Sequence, residues 1–338
     1  RQPDRHPVPT AAAGGARTRG LALMVLRAAP DLRIREGFAD VGFGWPVGGW
    51  LGAVPFWLSG QIPSFTDAAF ESISGFTTTG ASILTDIESR SHGTLFWRAL
   101  THWLGGMGIV LLALAILPLL GIGGMQLFRA EVPGPVAERL TPRIRQTAKL
   151  LWAVYFLLTV LEIAALMIAG MSPFDAVCHS FATMATGGFS NSNSSVGGYG
   201  SPAVEWVIIV FMFLAGTNFS LHYLALTGKI RVYTKDEEFR FYASIVLVSS
   251  LLIGGALLAA KTYPTAGETL RQTLFQVVSI LTTTGFGTAD YLQWPPVSHA
   301  ILLVLMAVGG CAGSTGGGIK VMRVFILLRH AKYELKKM

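Results

Sequence analysis

The chain carries one pattern three times. The copies read Phe70-Glu-Ser-Ile-Ser-Gly-Phe-Thr-Thr-Thr-Gly80, Val177-Cys-His-Ser-Phe-Ala-Thr-Met-Ala-Thr-Gly187 and Phe275-Gln-Val-Val-Ser-Ile-Leu-Thr-Thr-Thr-Gly285. Each opens on an apolar residue and ends in a Thr-Gly pair, and the terminal glycines lie 107 and 98 residues apart. Repetition at a near-constant period means a fold assembled from like units. The surroundings repeat as well. A short helical stretch is expected before each Thr-Gly, over Phe65–Phe76, Pro173–Met184 and Thr269–Leu281. A long apolar run stands on either side: Phe38–Ser59 and Leu95–Ile122, Leu150–Ala169 and Val204–Thr227, Phe241–Ala260 and His299–Leu328.

These runs have the roughly 20 apolar residues that a bilayer-spanning helix needs. Composition agrees. Hydrophobic residues make up 51% of the chain and charged residues 13%, against about 25% charged in soluble domains. The runs are continuously apolar and do not alternate, which argues against a β-barrel. The fold class is an all-α polytopic membrane protein. The net charge of +7 does not point to nucleic acid, because it is not gathered into one patch with interleaved aromatics. Of 26 Lys and Arg, 22 fall within residues 1–37, 123–149, 228–240 and 320–337, and none lies between Met171 and Pro202. By the positive-inside rule these four zones are cytoplasmic. The expected organisation is a cytosolic leader (1–37), a first visible unit (38–122), a cytosolic linker (123–149), a second unit (150–228), a cytosolic loop (229–240), a third unit (241–330) and a cytosolic tail (331–338). Cys178 and Cys311 stand in apolar surroundings and read as small core residues.

A twelve-residue helix rises about 18 Å, too short for a hydrocarbon core of about 30 Å. Each unit therefore reads as helix, re-entrant half-helix, polar segment, helix. Non-helical backbone at membrane depth must be buried in protein or line a watery cavity. Several such segments around one axis would form a ring of carbonyl oxygens able to replace an ion's hydration shell. The half-helices would turn their negative C-terminal ends toward that axis and favour a cation.

Six motifs carry a resemblance to a known family. They are the first repeat through Ala81, Trp103-Leu-Gly-Gly-Met-Gly-Ile109, Gly121-Ile-Gly-Gly-Met-Gln126, Arg129-Ala-Glu-Val-Pro-Gly-Pro135, Ala185-Thr-Gly-Gly-Phe-Ser190 and Gly310-Cys-Ala-Gly-Ser-Thr-Gly-Gly-Gly-Ile-Lys320. In that order, from about Arg35 to the end, they resemble the TrkH type of the Trk/Ktr/HKT superfamily, the membrane subunits of bacterial K⁺ uptake systems. The resemblance implies four helix–pore helix–helix repeats around a central pore, of which the chain shows three, and it makes the visible units the second, third and fourth. It implies K⁺ carried through the bacterial inner membrane. Filter glycines would be Gly80, Gly187 and Gly285, with ion-facing carbonyls from Thr78 and Thr79, Ala185 and Thr186, and Thr283 and Thr284. It implies a homodimer in the lipid bilayer and a TrkA-like cytosolic regulatory subunit that holds the nucleotide, with no cofactor on this chain. A non-conducting fragment and a Na⁺-permeable or ion-coupled transporter of the same superfamily are the alternatives.

Ala215-Gly-Thr-Asn-Phe-Ser220 places polar residues and glycine inside an apolar run. It reads as a tolerated kink or as an intramembrane loop beneath the filter, and the resemblance favours the loop as a gate. Lys320 follows the Gly-rich stretch Gly313–Gly318 in the last run. A charge there faces a cavity or snorkels to the interface, with Arg323 as the rival pore cation. The same stretch lacks the Gly-Lys-Ser/Thr of a phosphate loop and follows no strand. Glu71 is expected to brace filter backbone, with direct ion ligation as the sharper option. His102, His179 and His222 are far apart and build no hydrolytic or metal motif. The units also repeat in one orientation, unlike the inverted repeats of rocking transporters.

Overall fold

The computed structural model describes residues 34–116 and 140–337. The expected leader up to residue 33, the linker up to residue 139 with its Arg129–Pro135 motif, the Gly121–Gln126 motif and Met338 lie outside the described residues. The elements are helices: α1 (Ile34–Leu58), α2 (Phe65–Phe76), α3 (His92–Ile116), α4 (Leu140–Ile168), α5 (Pro173–Met184), α6 (Pro202–Ala215), α7 (Phe219–Leu226), α8 (Val232–Lys235), α9 (Glu237–Ala259), α10 (Ala266–Leu281), α11 (Pro296–Ala307) and α12 (Val321–Lys337). Two short 3₁₀ turns, Ser195–Tyr199 and Tyr291–Gln293, complete the described elements. The one isolated β-bridge among the described residues joins Val308 and Ile319 in parallel.

The short helices α2, α5 and α10 start in the same way. Ser64, Ser172 and Thr265 are N-caps whose side chains accept the backbone N–H of Asp67, Asp175 and Glu268, three residues on. A hydroxyl followed three residues later by a carboxylate is a helix-start signature, and the acid also complements the positive N-terminal end of the helix. Pro173 at the first helical position needs no amide partner there. The third helix begins at Ala266, three residues before the expected Thr269, because Thr265 supplies its cap.

Two helical stretches among the described residues, Gln146–Ile168 and Glu237–Ala259, are long and apolar enough to cross a membrane, and α6 with α7 forms a third, bent by 101°. Their outer faces leave large apolar side chains bare, such as Phe156 on α4, Leu247, Leu251 and Leu252 on α9, and Leu303 and Val304 on α11. The inner faces form one main core that runs through the second and third units, including Leu166, Met212, Tyr242, Ile253, Phe275 and Phe286. A smaller cluster joins Met107, Tyr155, Met184 and Phe219, so α3 and α4 are welded to the bend between α6 and α7.

The last apolar run differs from expectation. His299–Leu328 is not one span: α11 stops at Ala307 and α12 starts at Val321. The intervening residues fold back as a loop closed by Gly309 N–H to the Ile319 carbonyl at 2.9 Å and Val321 N–H to the Gly310 carbonyl at 3.2 Å. Six glycines within Gly309–Gly318 weaken helix by about 1 kcal/mol each, more than the apolar flanks recover. Glu238 on α9 holds the loop. Its carboxylate is 4% exposed and accepts Ala312 N–H at 2.7 Å and Met322 N–H at 3.2 Å. Replacing Glu238 by Ala strands two amides, at about 1–3 kcal/mol for a buried unsatisfied donor. Glu238→Ala is expected to lower the melting temperature and to speed hydrogen exchange selectively at residues 309–322. Unchanged exchange there would show that the carboxylate does not hold the loop.

Candidate functional site

The three short helices end in the same unusual turn. Their C-caps are Thr77, Ala185 and Thr282. The next residues, Thr78, Thr186 and Thr283, have φ of 54°, 52° and 61°. A β-branched residue is rarely found in this left-handed region, and each instance stores about 1–3 kcal/mol that the surroundings must offset. The amides of Thr79, Gly187 and Thr284 then turn back to the carbonyls of Ser74, Ala182 and Ser279, each at 2.9 Å. A glycine in left-handed backbone follows each time: Gly80 (φ 77°), Gly188 (φ 80°) and Gly285 (φ 81°).

This geometry corrects the register of the middle copy by one residue. The counterpart of Gly80 and Gly285 is Gly188, not Gly187, and the counterpart of Thr78 is Thr186. Sequence matching aligned the Thr-Gly pairs, whereas the backbone aligns the helix ends. With Gly187 and Gly188 adjacent, the residue types alone cannot choose between them.

The three segments lie side by side. A Cβ on Gly80 would strike the carbonyl oxygen of Gly187, and one on Gly188 would strike the carbonyl oxygen of Thr284. The middle segment is buried through Gly187, while Thr79 and Gly285 are exposed. A cavity of about 260 Å³ opens against Thr77, Thr78, Thr79 and Thr283, with Ile109 and Thr315–Gly318 on its other walls. Hydroxyls are organised alike in the first and third segments. Thr77 and Thr282 donate to the carbonyls of Ile73 and Val278 at 2.8 Å. With those protons committed, the hydroxyls of Thr79 and Thr284 donate to Thr77 and Thr282, at 2.8 and 2.7 Å.

Each short helix also braces the chain that leaves its segment. Ser74 Oγ donates to the Ala81 carbonyl and Ser279 Oγ to the Phe286 carbonyl, both at 2.6 Å. One face of each helix then holds the residues beyond. Glu71 accepts from Ser82 Oγ and Ile83 N–H, both at 2.9 Å. His179 Nε2 pairs with Ser190 Oγ at 3.0 Å. Gln276, its amide assigned from the surrounding donors, accepts Thr288 N–H at 3.1 Å and Ala289 N–H at 3.3 Å. Glu71 is fully buried, and its oxygens are further engaged by Arg98 Nε at 2.5 Å. It is a brace, and direct ion ligation by Glu71 is set aside. Breaking a buried ion pair of this kind costs about 3–5 kcal/mol.

Beneath the threonines, the bend in the middle unit and the glycine-rich loop form one layer. Ala215 ends α6, Gly216 and Thr217 make the turn, Asn218 caps α7, and Phe219 and Ser220 begin it. The loop packs onto this bend: Cys311 N–H reaches the Gly216 carbonyl at 2.8 Å and Phe219 N–H the Gly313 carbonyl at 3.1 Å. Thr315 Oγ1 lies 3.0 Å from the Met184 carbonyl and 3.2 Å from that of Ala215. Gly317 N–H donates to Thr283 Oγ1 at 2.7 Å. Lys320 turns its ammonium onto the Gly316 carbonyl, while Arg323 is exposed on α12. From sequence, Gly313–Gly318 stands out only as the glycine-rich stretch before Lys320 and His102 only as a histidine in no motif, while Arg98 is not singled out at all. The run of glycines and a charge inside an apolar run were the available signals.

The corrected register has a testable consequence. Gly187→Ala meets the His102 ring first, whereas Gly188→Ala meets backbone and carries a φ that costs an L-residue about 1–2 kcal/mol. In thermal unfolding of the purified protein, His102→Ala is expected to restore Gly187→Ala and to leave Gly188→Ala destabilised. Equal rescue of both would return the register to Gly187.

Comparison with known proteins gives the family. The sequence matches the TrkH family, described as a cation transport protein, over residues 20–338. Relatives include the Trk system potassium uptake protein TrkH of Salmonella typhimurium (strain LT2), 47% identical over 312 residues, covering 91% of this chain and 64% of the relative. TrkH of Escherichia coli (strain K12) is 46% identical over the same shares, and TrkG of that strain is 37% identical over 91% of this chain and 64% of the relative. Among solved structures, the potassium transporter TrkH from Vibrio parahaemolyticus superposes with a TM-score of 0.83 at 41% identity, covering 91% of this chain and 64% of that one. The chain thus spans 64% of the length of these relatives. It belongs to the TrkH family of cation transport proteins and is a polytopic, all-helical membrane protein.

Proposed function

We propose that the protein to which this chain belongs takes up K⁺ across the bacterial inner membrane, and that residues 38–122, 150–228 and 241–330 are the second, third and fourth of four pore units. The observation that carries this reading is the threefold recurrence of a strained Thr turn and a left-handed Gly, side by side at the ends of three half-helices. Such strain persists only where something else requires it. Here it aims successive backbone carbonyls along one channel, which is how K⁺ is held without its water shell. The filter consists of Thr78, Thr79 and Gly80, of Thr186, Gly187 and Gly188 with Ala185 at its base, and of Thr283, Thr284 and Gly285. A first unit beside the exposed Gly285 and Thr79 completes the ring. K⁺ is cargo here, and the nucleotide belongs to a TrkA-like regulatory subunit. That subunit meets the basic zones on the cytoplasmic side of a homodimer.

The gate is the layer in which the Ala215–Ser220 bend and the Gly309–Gly318 loop interlock. The loop supports this role because it walls the cavity under the threonines and carries Lys320, whose charge would hinder a cation leaving the filter. Two measurements test the reading. In proteoliposomes holding the intact protein, K⁺ and Rb⁺ flux should exceed Na⁺ flux by at least about tenfold. Equal K⁺ and Na⁺ flux would favour the Na⁺-permeable alternative, and the absence of flux the non-conducting one. Separately, replacing residues 215–220 with a plain helical sequence should raise flux measured without the regulatory subunit. Unchanged flux would remove the bend from the gate.

A further inference from the structure

The three filter segments are braced unequally. The first and third have a serine hydroxyl on the carbonyl that follows the glycine, from Ser74 and Ser279. In the corrected register the middle helix has Ala182 at that place and Phe189 as the residue to be held. The middle segment is nonetheless the one that touches both neighbours, so its position sets the spacing of the ring. Its own helix supplies the His179–Ser190 bond, and the preceding unit supplies a second hold.

We infer that Arg98 and His102, one turn apart on α3 of the preceding unit, are positioning residues that clamp the middle filter segment through Phe189. The guanidinium carbon of Arg98 lies 3.5 Å from the centre of the Phe189 ring. The His102 ring stacks on the same phenyl at 3.8 Å, with the planes 13° apart. Two groups at those separations cannot share one face, so Phe189 is held between them. Arg98 Nη1 also donates to the Ser190 carbonyl at 2.9 Å, while Nε bonds Glu71. Through Glu71 it reaches Ser82 and Ile83 of the first segment. One arginine therefore ties the exits of two filter segments together. His102 completes the clamp from the other side. Its ring edge fills the space where a side chain of Gly187 would be, and neither ring nitrogen has a hydrogen-bond partner among the described residues. The contacts His102 makes are those of a flat ring, its face on Phe189 and its edge at Gly187.

Lysine cannot replace Arg98 here. A point ammonium lacks the planar fork that serves Glu71 and Ser190 together while lying flat on a ring. Likewise, a ring at position 102 should serve where a methyl group does not.

The inference rests on the filter reading above, and the experiment separates the two. The intact protein and its variants are reconstituted, and the ratio of K⁺ to Na⁺ flux is measured alongside the gel-filtration profile in detergent. Arg98→Lys, His102→Ala and Phe189→Leu are each expected to lower the ratio about tenfold or more, since sub-ångström placement decides such a site. His102→Phe should recover most of what His102→Ala loses, and His102→Leu, which refills the space without a flat ring, should not. If Arg98→Lys fails to fold, His102→Ala and Phe189→Leu decide alone. Wild-type selectivity in the folded variants overturns the clamp and leaves the filter reading standing. A wild-type protein that does not discriminate overturns the filter reading, and the clamp with it.

Discussion

Every peptide group placed inside hydrocarbon must have its hydrogen bond supplied by the protein, because no water is there to supply it. This molecule interrupts its helices with irregular backbone at five places among the described residues: after α2, α5 and α10, between α6 and α7, and between α11 and α12. Each break is affordable only because a neighbour covers it. The amides after the three short helices turn back onto their own helix ends. The bend at Gly216–Asn218 and the loop at Gly309–Gly318 cover one another, with backbone bonds from Cys311 to Gly216 and from Phe219 to Gly313. These shared bonds tie the second unit to the third.

The same constraint explains where polar side chains are spent. Glu71, Arg98, Glu238 and Gln276 are buried among apolar helices. None of them is a free charge, since each is committed to a backbone group of an irregular segment or to a residue that is. The carboxylates of Glu71 and Glu238 accept amides from Ile83, Ala312 and Met322. Arg98 donates to the Ser190 carbonyl. A second, partly buried pair, Arg271 with Glu205 at 2.7 Å, links the third short helix to the second unit. Replacing such groups by apolar residues would remove their own desolvation cost and would leave the filter-like segments without partners.

The repeats are alike in backbone and unlike in side chains. Thr78, Thr186 and Thr283 share one conformation, and the amides that follow them share one set of bonds. The braces behind them differ: a carboxylate at Glu71, an imidazole at His179 and an amide at Gln276. The turn geometry is the same in all three segments. The bracing has only to deliver hydrogen bonds from behind, and several chemistries do that equally well.

The sequence by itself determined the class, the threefold repeat and the existence of the three short helices. Apolar runs of spanning length have no other stable use, and a hydroxyl cap followed by an acid starts a helix wherever it occurs. Tertiary structure decided the rest. The choice of Gly188 over Gly187 depends on where α5 ends and which carbonyl of the neighbouring segment lies alongside, and no local pattern carries that distance. The division of His299–Leu328 into two helices depends on Glu238, which lies 74 residues from Ala312. Arg98 is not singled out by its local sequence. Only the fold brings Glu71, Phe189 and Ser190 within its reach, because contacts between distant segments are made by packing and not by periodicity.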